Sequence, residues 1–284
     1  MANGQQETDG SVAALWRYPV KSMMGEELNA CELANRGVLG DRAYALVDPT
    51  NGKVVSAKNP RKWGNLFSFR AKYATSPRLG EPVPPVIITL PDGSTLSSME
   101  DHVDKTLTRA LGRDVTLETA APEEPSLEEY WPDIEDLDHR DTVTDEAMPT
   151  GTFFDLAVLH ILTTATLDRL RELYPEGRFE TRRFRPNIVV DASSSENAFI
   201  ENDWIGRSIS IGEEVQLAVT EACPRCVMTT LPQGDLPRDR GILRTAAKHN
   251  DVHVGVYAAV TQGGMIRRGD KVSVSQSSEG QNSV

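Results

Sequence analysis

The chain has few cysteines and no long apolar run. Three cysteines in 284 residues are too few for a disulfide framework and fit a reducing compartment. No segment approaches the roughly 18 to 20 consecutive apolar residues of a membrane span. Residues 1–10 lack the basic and then apolar pattern of a secretory signal. No period of about 20 to 50 residues repeats, which argues against a solenoid. We therefore expect a cytoplasmic globular protein without a membrane partner.

The formal charge of −12 is concentrated in one segment. Between Glu123 and Glu146 there are eleven acidic residues and one basic residue, Arg140. The rest of the chain is nearly balanced in charge, so its Lys and Arg residues remain available for a local anion site. The segment itself is typical of a solvated linker, and the overall charge argues against nucleic acid as a partner.

Short β-prone runs separated by turn residues dominate both halves of the chain. One helix is predicted at 103–112, with Asp101 as its cap and Gly112 as its end, and others at 163–177 and 242–250. Strands are predicted at 12–18, 43–47, 53–57, 66–72, 85–90, 115–119, 156–162, 187–191, 208–212, 214–220, 252–260 and 271–274. This pattern favours a mainly β (α+β) fold.

The predicted organisation is two β domains joined by the acidic linker. A small β-barrel or sandwich domain is expected at residues 11–122, the linker at 123–147, and a second β-barrel domain with a few helices at 148–274. Residues 1–10 and 275–284 are expected to be disordered tails.

The sequence EACPRCVMTT at 221–230 is the sharpest local feature. A structural zinc site would need four ligands, and the chain has one such cysteine pair. A thiol-disulfide oxidoreductase would place the pair at the start of a helix, whereas β-prone runs flank it here. The two cysteines could also have no chemical role. Arg225 beside Cys226 favours a thiolate, which is a soft ligand for a heavy transition metal whose other ligands a cofactor would bring.

Three blocks in order carry a resemblance to the MOSC family with its N-terminal β-barrel domain, as arranged in the mitochondrial amidoxime-reducing components and their bacterial homologues. They are YPVKSMMGEEL followed by RGVLGDRAYALVD in the first half, TRRFRPNIVVD in the middle, and CPRCVMTTLPQGDLPRDRGILR near the end. The likeness spans roughly residues 11–274. It identifies residues 11–122 as the MOSC-associated domain and 148–274 as the MOSC domain.

The resemblance implies a molybdenum-molybdopterin cofactor, in which a pyranopterin dithiolene holds the metal and Cys226 is the catalytic protein ligand. Arg, Lys and hydroxyl groups independently suit a phosphate-bearing anion. We do not expect pyridoxal phosphate. By the resemblance, the cofactor-binding residues are Lys21, Ser22, Arg42, Thr163, Arg185, Asn187, Arg225 and Cys226.

The implied reaction is reduction of N-hydroxylated small molecules, with electrons from a separate donor protein or a reduced small carrier. An alternative is a sulfur carrier that forms a persulfide on Cys226, and a third is a cofactor-binding module without turnover. Each basic residue also has a plainer interpretation, because Lys21 and Arg42 could be exposed turn residues. His160 is expected to be a packed core histidine, and Cys31 a small buried hydrophobe.

Overall fold

The structure is a computed structural model, and it describes residues 10–134, 139–192 and 199–275. The two predicted tails therefore lie outside the described residues, apart from Gly10 and Ser275. Within the described ranges, no helix combines the length and the apolar character needed to cross a membrane.

Strands make up most of the described secondary structure, as predicted. In chain order they are β1 (Gly10–Arg17), β2 (Glu26–Leu28), β3 (Ala30–Ala34), β4 (Gly37–Val38), β5 (Ala45–Val47), β6 (Arg70–Tyr73), β7 (Val86–Thr89), β8 (Thr95–Ser97), β9 (Thr116–Glu118), β10 (Ser126–Trp131), β11 (Thr142–Ala147), β12 (Leu159–Thr163), β13 (Ile188–Ala192), β14 (Ser208–Ile211), β15 (Val215–Pro224), β16 (His253–Gln262), β17 (Gly264–Arg267) and β18 (Lys271–Val274). The helices are α1 (Pro60–Trp63), α2 (Val103–Leu111), α3 (Thr164–Leu173), α4 (Thr181–Phe184) and α5 (Gly241–Asn250), with 3-10 turns at 66–68, 200–204 and 227–230.

Seven strands close into a barrel in the order β13-β12-β16-β15-β14-β18-β1, and pairing of β1 with β13 completes the ring. Only β12 and β13 are parallel among these neighbours, and α3 makes the crossover between them. Inward side chains such as Ile161, Leu217 and Val256 are fully buried. This barrel confirms the predicted mainly β class.

The barrel does not follow the predicted domain boundaries. Its strand β1 comes from the predicted N-terminal domain, yet Leu15 pairs with Ile188 and Gly10 with Val272. Likewise β17 pairs with β3. Apolar residues of β1 and β3 are buried in the barrel core. This burial explains why the two strands pack with the barrel, although they belong by sequence to the predicted N-terminal domain.

The N-terminal domain has its own core beneath the sheets β6-β7-β8 and β5-β9. Phe69, Ile88 and Leu107 are fully buried there. Met228 and Leu231, which follow β15 of the barrel, pack into the same core. The segment that follows the second cysteine of CPRC is therefore held between the two domains.

The prediction of a linker at 123–147 is wrong for residues 126–131 and 142–147, because these form β10 and β11, which pair as an antiparallel hairpin. Leu127 is buried in a small core with Phe153. Basic residues neutralise part of the acidic charge, since Lys62 contacts Glu128 at 2.7 Å and Lys53 pairs with Asp145 at 2.5 Å. Burial and ion pairing together order a segment whose composition suggested solvation.

Smaller predictions also need correction. Residues 53–57 form one bridge, between Val54 and Val47, instead of a strand, and 66–68 form a 3-10 turn. The cap position of α2 is His102 and not Asp101. Gly112 ends that helix with φ 73°, as predicted, because glycine adopts the left-handed conformation at little cost.

Candidate functional site

A cavity of about 570 Å³ lies between the barrel and the N-terminal domain. Loops that follow β1, β4, β5 and β15 meet there with the loop before β13 and with the hairpin β10–β11. Seven of the eight predicted site residues line it, namely Lys21, Ser22, Arg42, Arg185, Asn187, Arg225 and Cys226. The three sequence blocks that carry the family resemblance therefore meet at one cavity, although they are far apart in sequence.

Thr163 is the predicted site residue that does not line the cavity. It is fully buried at the N-terminus of α3, where its hydroxyl oxygen accepts a hydrogen bond from the Thr166 amide at 3.1 Å. The same hydroxyl donates to Glu201 at 2.7 Å. Its side chain thus serves as a helix cap, and its predicted contact with the cofactor stays a prediction.

The backbone around the cavity is unusually strained. Seven described residues other than glycine have positive φ, and five of them line the cavity. They are Ser22 (62°), Arg42 (49°), Arg185 (54°), Asp251 (48°) and Val252 (64°). Left-handed conformations cost most residues free energy and are kept where the surrounding fold fixes them, often at functional sites. The strain identifies this cavity independently of sequence motifs.

Two arginines that line the cavity, Arg185 and Arg225, each have a buried N–H group without a described partner. Arg185 donates from Nη1 to the Met23 carbonyl at 2.8 Å, and it lies 4.1 Å from the centre of the Tyr18 ring. Its Nη2, like Nε of Arg225, is buried without a hydrogen-bond partner among the described residues. Burial lowers the pKa of Arg185 to about 10. An anion that accepted these hydrogen bonds would remove the cost of the unpaired donors.

Asp41 organises the neighbouring polar residues. Its carboxylate accepts hydrogen bonds from the Tyr18 amide at 2.6 Å and from Asn187 Nδ2 at 2.9 Å, and it forms an ion pair with Arg42. Arg42 also lies over the Tyr18 ring at 5.1 Å. These contacts fix two predicted site residues in place.

The amines in the cavity are largely neutralised by carboxylates. Lys21 is buried, donates to the Phe153 carbonyl at 2.8 Å and forms an ion pair with Asp155. Burial lowers the pKa of Lys21 to about 8, and Asp155 opposes that shift. Lys58 contacts Glu129 at 2.9 Å and Asp155 at 3.7 Å. Although burial opposes it, these carboxylates hold the pKa of Lys58 well above its usual value.

Cys226 lies on the cavity wall between β15 and the 3-10 turn at 227–230, and it is half-buried. Burial raises the pKa of its thiol to about 11; the Glu129 carboxylate adds to the shift and Lys58 opposes it. Arg225 donates instead to the sulfur of Cys223 at 2.6 Å. The expectation that Arg225 makes Cys226 a thiolate is therefore wrong for the ligand-free chain, in which burial outweighs the neighbouring charge.

Sequence reasoning missed several cavity residues, among them Lys58, Glu129, Trp131 and Glu146. Lys58 follows the β-prone run 53–57, and Glu129, Trp131 and Glu146 belong to the supposed linker. The available signal was the run SLEEYW, in which an aliphatic and two aromatic residues occur within an acidic segment. As predicted, His160 is buried with Nε2 3.0 Å from the Val254 carbonyl, and Cys31 is packed in the barrel core. His160 also lines the cavity, which the prediction of a core histidine did not anticipate.

The cavity thus presents one half-buried thiol close to buried N–H donors that have no partner among the described residues. A polyanionic ligand that brings its own additional metal ligands fits this donor set, because a single thiol cannot hold a metal alone. The thiol would lose its proton on binding a metal.

The chain is similar to two families of protein domain. The MOSC N-terminal beta barrel domain matches residues 9–114, and the MOSC domain matches residues 150–273. Human mitochondrial amidoxime reducing component 2 is 27% identical over 241 residues, covering 78% of this chain and 67% of that protein. Mouse mitochondrial amidoxime-reducing component 1 is 25% identical over 237 residues, covering 78% and 66%. The chain therefore spans about two thirds of these relatives. The YUAD protein from Bacillus subtilis aligns at 10% identity with a TM-score of 0.47, covering 93% of this chain and 94% of that one.

Proposed function

Because the chain belongs to the MOSC family and combines its MOSC and MOSC N-terminal β-barrel domains, we propose that it is an oxidoreductase dependent on a molybdenum-pterin cofactor. Its proposed substrates are N-hydroxylated small molecules such as amidoximes and hydroxylamines. The names of its relatives support the reaction class. When bound, the cofactor would supply the two-electron redox chemistry of a reduction that consumes two electrons from the donor and two protons and releases the substrate oxygen as water.

One observation carries the proposal: a half-buried thiol lines the same cavity as two arginines, each of which has a buried N–H group without a described partner. Cys226 would be the metal ligand. Arg185 and Arg225 would donate to the anionic part of the cofactor, because guanidinium groups suit phosphate and each has one N–H group without a described acceptor. Asn187 and Arg42, both held by Asp41, would complete the binding surface.

Two charged neighbours also influence the pKa of the Cys226 thiol. Lys58 and Glu129 act on the Cys226 thiol in opposite directions, and they contact each other at 2.9 Å. Metal binding requires the thiolate, so the Cys226 proton must leave when the cofactor binds. The amine of Lys58 then faces a negative sulfur, which it stabilises electrostatically.

Electrons are proposed to come from a separate donor protein or a reduced small carrier. A cytoplasmic location remains a prediction, and the relatives are named as mitochondrial proteins.

The test compares molybdenum content and pterin fluorescence in protein made by a host that synthesises the cofactor. Wild type should hold about one molybdenum per chain, and Cys226→Ala should hold almost none. Cys31→Ala is the matched control, because Cys31 is packed in the barrel core away from the cavity. Equal metal content in all three proteins would overturn the proposal.

The alternative sulfur carrier predicts a different result. A persulfide on Cys226 needs no resident metal, so wild type would contain no molybdenum but would release sulfide on reduction with dithiothreitol. A binding module without turnover would contain molybdenum and fail to reduce benzamidoxime with a chemical electron donor. The three outcomes distinguish the three functions.

A further inference from the structure

Strand β12 places His160 on the wall of the cavity, next to two other elements that form the site. The main-chain N–H of His160 donates to Asn187 Oδ1 at 3.2 Å, and its carbonyl accepts from the Asn187 N–H at 2.8 Å. The ring nitrogen Nε2 lies 3.0 Å from the carbonyl oxygen of Val254. His160 therefore connects β12 with Asn187 before β13 and with the start of β16.

The neighbouring strand β16 is shaped around the imidazole. Gly255 has φ 83°, and a Cβ atom at that position would lie 2.2 Å from Nε2 of His160. Any other residue at position 255 would therefore displace the ring. Tyr257, opposite His160 in the paired strands, contacts the ring edge-on with 6.1 Å between centroids. The imidazole is thus held in one orientation at the cavity.

The ring has more acceptors than a neutral imidazole can serve. A carbonyl oxygen only accepts, so the contact with Val254 places the N–H of the neutral ring on Nε2. The carbonyl of Arg185 is a second acceptor for the ring. A neutral imidazole has one N–H group, whereas an imidazolium has two. The carbonyls around His160 therefore suit its protonated form.

Burial and nearby cations keep the ring neutral in the ligand-free chain. Burial holds the pKa of His160 well below its usual value, and the charge of Arg225 lowers it further, with a smaller effect from Arg42. Hydrogen bonds to the carbonyls of Val254 and Arg185 oppose this shift of the pKa. Both Arg225 and Arg185 line the cavity and have an N–H group without a described partner. The main cation that disfavours the imidazolium is therefore one that an anion would neutralise.

Other titratable groups on the elements around β12 do not supply the missing negative charge. Tyr257 is neutral, because burial raises its pKa well above the usual value. The carboxyl of Glu201, on the 3-10 turn that packs against β12, accepts hydrogen bonds from two threonine hydroxyls, and burial raises its pKa. Asp155 in the cavity is paired with Lys21. A counter-ion for a charged His160 would have to come with a ligand.

We infer that His160 takes up a proton when an anion binds Arg225 and Arg185 in the cavity. The anion cancels the repulsion from the guanidinium groups, and the ring then carries an N–H on both Nδ1 and Nε2. Because binding takes up a proton from solvent, affinity for the anion must rise as the pH falls towards the pKa of the ligand-free ring. The inference rests on the proposed function only for the identity of the natural anion, the phosphate-bearing cofactor.

The test adds sulfate, a dianion that does not titrate near pH 6, to the full chain made without the cofactor. Calorimetry in two buffers of different ionisation enthalpy counts the protons taken up with each sulfate. Wild type should take up about one proton per sulfate at pH 6. Lys21 contributes little there, because burial lowers its pKa only to about 8 and it is already charged at pH 6.

His160→Gln should bind sulfate without this proton uptake, since a glutamine amide can donate to the Val254 carbonyl but does not titrate. His253→Gln is the matched control, because His253 also lines the cavity but its side chain is 28% exposed. It should keep most of the uptake. Nuclear magnetic resonance of wild type with isotope-labelled histidine gives an independent measurement, in which one imidazole that is neutral at pH 6 should become charged when sulfate is added.

Sulfate binding to wild type without proton uptake would overturn the inference, and so would equal uptake in wild type and His160→Gln. Absence of sulfate binding would overturn it as well. Failure of the reductase proposal would appear differently, as absent molybdenum in protein from the cofactor-producing host while sulfate still brings a proton to His160.

Discussion

Arg225 donates a hydrogen bond from Nη1 to the sulfur of Cys223 at 2.6 Å, although Cys226 is its neighbour in sequence. Its Nη2 donates to the Phe184 carbonyl at 2.7 Å. These two contacts fix the plane of the guanidinium, and its Nε is buried without a hydrogen-bond partner among the described residues. Cys223 is thus a positioning residue for Arg225, which gives the first cysteine of CPRC a role other than metal ligation.

Loss of this acceptor should weaken cofactor retention. In Cys223→Ala the guanidinium loses one of its two anchors, and we expect molybdenum to dissociate about tenfold faster during dialysis. Cys223→Ser keeps an acceptor of similar size and should retain metal nearly as well as wild type. Metal content by mass spectrometry gives the comparison, and identical loss rates for Ala and Ser would contradict the positioning role.

The pH dependence of thiol alkylation should report the raised pKa of Cys226. In cofactor-free protein the thiolate is disfavoured below a pKa of about 11. The rate of reaction with iodoacetamide should therefore rise about tenfold per pH unit from pH 7 and level off near pH 11. Cys226 is the partly exposed cysteine of the three, so mass spectrometry can follow it selectively. A plateau near pH 8 would contradict this prediction.

Removal of the charges on Glu129 and Lys58 should shift the pH profile of Cys226 alkylation in opposite directions. Glu129→Gln removes a charge that raises the pKa of Cys226, so alkylation at pH 7 should become faster. Lys58→Met removes a charge that lowers it, so alkylation should become slower. Glu128→Gln, on the opposite face of the hairpin, is the control and should leave the rate unchanged.

Arg183 should matter more to stability than any exposed arginine. It is fully buried and donates to the carbonyls of Arg178, Thr229, Leu231 and Pro237 at 2.8–3.2 Å. Arg183→Met leaves these acceptors unpaired and should lower the free energy of unfolding by about 3 to 5 kcal/mol in urea denaturation.

The neighbouring Arg182 supplies the control for this prediction. It forms ion pairs with Glu180 and Asp235 near the surface. Arg182→Met should cost only about 0 to 1 kcal/mol, because exposed ion pairs are screened by solvent. Similar losses in the two variants would show that burial of Arg183 is not what stabilises the segment after Cys226.

Val252 allows a direct measurement of backbone strain at the cavity. It has φ 64°, which is unfavourable for a β-branched residue. Val252→Gly and Val252→Ala both remove the branched side chain, but only glycine adopts this conformation without penalty. We expect the Gly variant to be about 1 kcal/mol more stable than the Ala variant. Equal midpoints of thermal unfolding would indicate that the strain is absent.

The sequence predicted seven residues of the cavity through the resemblance that its three motif blocks carry. Lys21, Arg42 and Arg185 were proposed as cofactor-binding residues, and all three line one cavity. Motif order carried this information because residues that bind one ligand must converge. Thr163 lies apart from that cavity, and its hydroxyl caps the helix α3, because a hydroxyl at the start of a helix can serve the backbone as readily as a ligand.

The features of the site that the sequence could not predict depend on contacts between residues that are far apart in the chain. The hairpin β10–β11 is ordered by Lys53, Lys58 and Lys62, whose sequence positions are far from its own. Composition alone made it resemble a solvated segment, so its contribution of Trp131 and Glu146 to the cavity was missed. The donation from Arg225 to Cys223 also depends on side-chain direction, which adjacency in sequence does not determine.

The closure of the barrel by β1 sets an order of events during synthesis. Residues 15–17 of this strand pair with the nearby β2, but its partners β13 and β18 are made much later. The pair Gly10–Val272 joins residues 262 positions apart, and such distant contacts form slowly. Gly10 and Ser11 therefore lack their β18 partners until residues 271 and 272 have been made. A nascent chain that stalled before residue 271 would lack the pairing of β1 with β18.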